Sequence, residues 1–165
     1  MNYLIRVLDA ERWNFEYREP EHPFKANPLA DLRTDSDNLS VFACDKDKNN
    51  LDDILLGFAS KRYGISKLQY IELEQSELSQ LGFEVIDAKE EGNTPVQAAN
   101  NAHKNIPLNS ADKLIALAKH IYSKTENIQT VKSKKIKMLL EGALSDGSLD
   151  GNDLNCVLKK IFSIS

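Results

Sequence analysis

Apolar and polar positions along the chain follow two periods, one suited to strands and the other to helices. The run "NYLIRVL" (2–8) is apolar and β-prone and predicts a buried first strand. "WNFEY" (13–17) alternates apolar with polar and predicts a second. "NLSVFAC" (38–44), "KLQYIELE" (67–74) and "FEVIDA" (83–88) predict three more. Between them, "NLDDILLGFASKRYG" (50–64) places Leu51, Ile54, Leu55 and Phe58 at i, i+3, i+4 and i+7, one apolar helix face. Asn50 suits the N-cap of that helix, Asp52 and Asp53 suit its positive first turn, and Gly64 suits its end. Ser76 is the expected cap of a short helix, "ELSQL", ending at Gly82.

The texture changes at "KEEGNTP" (89–95), the best candidate linker. Beyond it the period is helical. "PVQAANNAHKN" shows it weakly, with His103 expected on an exposed or half-buried helix face. Ser110 caps a segment carrying Leu114, Leu117, Ala118 and Ile121 on one face. Two further segments carry Ile136, Leu139, Leu140 and Ala143, then Leu154, Val157, Leu158 and Ile161. Strand, helix, strand, helix, strand is the order of a sheet with crossover helices. The expected fold is therefore α/β (or α+β), a small mixed or parallel sheet of four to five strands followed by a C-terminal bundle of about three helices. The expected organisation is an α/β unit over 1–92 and a helical subdomain over 93–165, able to pack as one body.

Apart from the alternation at 13–17, residues 10–38 fit neither period. They hold Pro20, Pro23, Pro28 and the aromatics Trp13, Phe15, Tyr17 and Phe24. Connections this long are uncommon in compact domains and are often functional.

Composition narrows the classes. The chain of 165 residues is 41% hydrophobic and 28% charged, enough apolar matter for a core. No apolar run approaches the ~20 residues of a membrane helix. The first residues lack the pattern of a signal peptide, so the expected setting is cytoplasmic. Cys44 and Cys156 are far apart and unpaired in pattern, and both are expected to be small buried hydrophobes. The net charge of −4 is uneven: residues 1–104 carry −7 and residues 105–165 carry +3. An acidic front half repels phosphate, which argues against nucleic acid and suits a basic protein partner.

Familiar chemistry is missing from the sequence. "DGSLDGND" (146–153) resembles the start of a calcium loop, but Val157 stands where a bidentate glutamate is needed. A helix-hairpin turn explains the same residues: Gly147 ends one helix, Asp150 caps the next, and Leu149 packs on Leu154. "GALSDGS" (142–148) has Walker glycines with Ser148 in place of the lysine. His22, His103 and His120 are scattered, and Lys132, Lys134, Lys135 and Lys137 splay around a helix without making a stripe.

One stretch stands out, "ADLRTDSDNLSVFACDKD" (30–47), with aspartates gathered before and after a predicted strand. The reading favoured by these features is an intracellular interaction module of immunity, antitoxin or accessory-subunit type, without a cofactor. Its acidic N-terminal half would meet a basic protein, with Trp13, Tyr17, Arg33, Asp35 and Asp37 as contact residues. The alternative is a metal-dependent hydrolase or phosphoryl-transfer enzyme. In it Asp31, Asp35 and Asp37 would hold Mg²⁺ or Mn²⁺, His22 would act as acid or base, and Arg33 would hold the phosphate. A third reading makes 107–165 a helical oligomerisation segment.

Overall fold

The computed structural model describes residues 3–13, 26–32 and 37–164. A single six-stranded sheet runs through the molecule in the order β4-β5-β2-β1-β3-β6. Its strands are β1 (Tyr3–Val7), β2 (Asn38–Cys44), β3 (Leu68–Glu74), β4 (Ile86–Asp87), β5 (His103–Pro107) and β6 (Gln129–Val131). Every neighbouring pair is antiparallel. Eight helices among the described residues are distributed along the chain: α1 (Ala10–Trp13), α2 (Ala26–Leu32), α3 (Leu51–Ser60), α4 (Gln75–Gln80), α5 (Gln97–Asn101), α6 (Ala111–Tyr122), α7 (Ser133–Asp146) and α8 (Cys156–Ile161).

This corrects the expected mixed or parallel sheet of four to five strands with a helical bundle behind it. The fold is α+β, with one antiparallel sheet. The cause lies in where the crossover helices lead. β2 and β3 both run opposite to β1, so α3 does join two strands of the same direction. The same holds for β3–α4–β4 and for β5–α6–β6. In no case are the joined strands neighbours, because a strand of opposite direction always lies between them. The local order strand–helix–strand is the same for a neighbouring and a split unit, and periodicity cannot tell them apart.

Alternation along the strands builds two cores. Leu4 and Ile5, adjacent in β1 and fully buried, belong to opposite faces. On one face Ile5, Phe42 and Tyr70 meet Ile54 of α3, Ala99 of α5, Leu140 of α7 and Leu158 of α8. On the other, Leu4, Val41 and Ile71 meet Trp13, Leu32, Leu78 of α4 and Leu117 of α6. The three C-terminal helices therefore do not form a bundle, since α6 covers one face of the sheet and α7 with α8 the other. Gly57 of α3 lets that helix approach α5, because a Cβ there would sit 2.6 Å from Ala99 Cβ.

Several local expectations change with it. The strand expected over 83–88 is reduced to Ile86–Asp87, and α4 begins at Gln75 with Glu74 in the cap position. Trp13 ends helix α1, and residues 14–17 of the strand expected at 13–17 lie outside the described residues. β5 and β6 replace helix. His103 is buried in β5, with Nδ1 2.8 Å from the carbonyl of Ala88. A carbonyl only accepts, so Nδ1 carries the proton. Asn105 on the same strand donates to Glu91 Oε2 at 2.8 Å. Cys44 is buried as expected, whereas Cys156 is exposed. The 146–153 segment meets the expected hairpin turn only in part: Gly147 ends α7 with φ 78° and Leu149 and Leu154 are buried, but Asp150 caps a 3-10 turn over Gly151–Asp153, and α8 is capped by Asn155, whose Oδ1 accepts from Val157 N and Leu158 N.

Candidate functional site

The stretch 30–47 is divided by β2. Seven residues at ~3.3 Å each separate its two acidic ends by about 23 Å. Asp31 sits at the end of α2, where its carboxylate is engaged internally. Oδ2 accepts from the indole Nε1 of Trp13 at 2.9 Å, and Arg12 Nη1 lies 4.0 Å from Oδ1. The main-chain oxygen of Asp31 accepts from Arg6 Nη2 at 2.8 Å, while Arg6 Nη1 donates to Ser40 O. Arg6 rises from the middle of the sheet face. Burial lowers its pKa, and the nearby Asp31 acts in the opposite sense. Its guanidinium satisfies a carbonyl in the last turn of α2, where a cation is favoured.

Trp13 is 2% exposed, so its ring belongs to the core and its one polar atom is satisfied by Asp31. Asp37 is exposed in a left-handed turn (φ 53°) whose carbonyl accepts from Leu108 N. It lines a small cleft of ≈ 220 Å³ at the start of α6. Tyr17, His22, Arg33 and Asp35 lie outside the described residues. Among the described residues no three His, Cys, Asp or Glu side chains are grouped to hold a metal ion.

At the other end of β2, the residues 45–50 form a closed turn. Asp45 Oδ1 accepts from Asn49 N at 2.9 Å, Asn50 Oδ1 accepts from Asp45 N, and Asn50 Nδ2 donates to Ala43 O. Asn50 precedes α3 as expected, but its side chain fastens the turn to β2 in place of capping the helix. Cys44 lies under this turn, its thiol pKa pushed up by burial, then by Asp45 and Glu72. A thiol held protonated is a poor nucleophile.

The antiparallel alternation brings more to this end than the turn. β2, β3 and β4 share one direction, so their C-terminal ends lie along one rim of the sheet. Each is followed by carboxylates. Asp45 and Asp47 follow β2, with Asp52 and Asp53 in the first turn of α3. Glu72 and Glu74 end β3, and Asp87, Glu90 and Glu91 end or follow β4. The cations on the rim are mostly taken up. Lys48 Nζ is 2.6 Å from Glu72 Oε1 and 5.9 Å from the centre of the Tyr3 ring. Lys104 pairs with Asp87 at 2.8 Å, and Lys135 of α7 with Asp52 at 2.6 Å. The hydrogen bond to Glu72 raises the pKa of Lys48, and that from Lys104 lowers the pKa of Asp87.

Asp47, Asp53 and Glu90 are exposed and have no cation partner among the described residues, beside the exposed Lys46 and Lys89. The carboxylates of "CDKD", "ELE" and "IDAKEE" are separated by more than twenty residues at the widest step, and only the strand order unites them. Of the rim only Asp45 and Asp47, in the stretch 30–47, were singled out from the sequence, and the recurring signal for the rest was an acidic residue at the close of three strands.

The chain matches no protein-family model, and neither a curated protein nor a solved structure matches it.

Proposed function

We propose that this chain is an interaction protein of the immunity, antitoxin or accessory-subunit type, which takes a basic protein partner on the acidic surface of its first hundred residues. The observation that carries this reading is the rim. Three acidic strand ends converge there, and the local lysines are largely committed to intramolecular pairs, leaving Asp47, Asp53 and Glu90 for a partner. Complementary charge of this kind raises the association rate and selects the sign of the partner more than it adds affinity. The pushed-up Cys44 thiol and the internal engagement of the Asp31 carboxylate favour binding over catalysis.

Affinity capture with the whole chain as bait tests the proposal. The wild type is expected to retain a protein of high isoelectric point. A variant Asp47→Lys/Asp53→Lys/Glu90→Lys, folded by circular dichroism, is expected to lose it by at least tenfold. Equal retention by both would refute the reading.

A further inference from the structure

We draw no further inference here: the strongest candidate, the apolar cleft between α7 and residues 162–164, carries Glu141 and Asp150 in its walls with Lys137, Lys159 and Lys160 on the adjoining helices, and nothing in the structure shows what covers it.

Discussion

The indole nitrogen of Trp13 donates a 2.9 Å hydrogen bond to Asp31 Oδ2, joining the end of α1 to the end of α2 over a buried ring. The carboxylate that headed the list of metal ligands thus satisfies the only polar atom of a core tryptophan. Asp31→Leu is expected to leave a buried N–H unpaired and to lower unfolding stability by about 1–3 kcal/mol in urea titration. Asp31→Asn keeps an acceptor and should cost less. A metal ligand would give the reverse emphasis, with both substitutions abolishing Mn²⁺ binding and little change in stability.

The helix ends give a second prediction. Ser163 occupies the left-handed C′ position of α8 with φ 55°, where a side chain costs roughly 1–2 kcal/mol relative to glycine. Ser163→Gly should raise the midpoint of thermal unfolding. Gly147→Ala, at the matching position of α7 with φ 78°, should lower it.

Close packing gives a third. Gly57→Ala puts a methyl group 2.6 Å from Ala99 Cβ, so α3 and α5 must separate. The expected cost is about 1–3 kcal/mol, read as a lower urea midpoint. Gly142→Ala, with nothing within 4 Å, should be neutral or slightly stabilising.

Acid stability depends on His120. Burial lowers its pKa below the usual imidazole value of 6.5; Glu77, 3.5 Å away, opposes this, and Lys124 adds to it. Below 6.5 the unfolded chain takes up a proton that the folded chain resists, so stability falls as pH drops toward the folded value and is regained above 6.5. Urea midpoints measured from pH 7.5 to 5 should decline, and His120→Gln should flatten the part of that decline due to this residue.

Much of this architecture was legible from the residues. "NYLIRVL", "NLSVFAC" and "KLQYIELE" became the three central strands, and the apolar faces of α3, α6 and α7 became their cover. β5 was not legible because two of its inward residues, His103 and Asn105, are polar and depend on Ala88 and Glu91 from a distant turn. Nothing local announces such partners. β6 is three residues long and runs into a lysine-rich helix, too short for a period of two to register. The rim was hidden for a topological reason. Carboxylates at 45–53, 72–74 and 87–91 become neighbours only once β1 and β5 are known to lie between the strands they follow. Asp31 and Asp37, close in sequence, drew attention that proximity alone did not justify.

The measurement that bears most directly on the proposed function is amide hydrogen exchange of the whole chain, free and bound to its captured partner. The account predicts that 45–53, 72–74 and 87–91 gain protection together, as three distant segments sharing one surface. Protection confined to other parts of the chain, with these three segments exchanging as in the free protein, would contradict it.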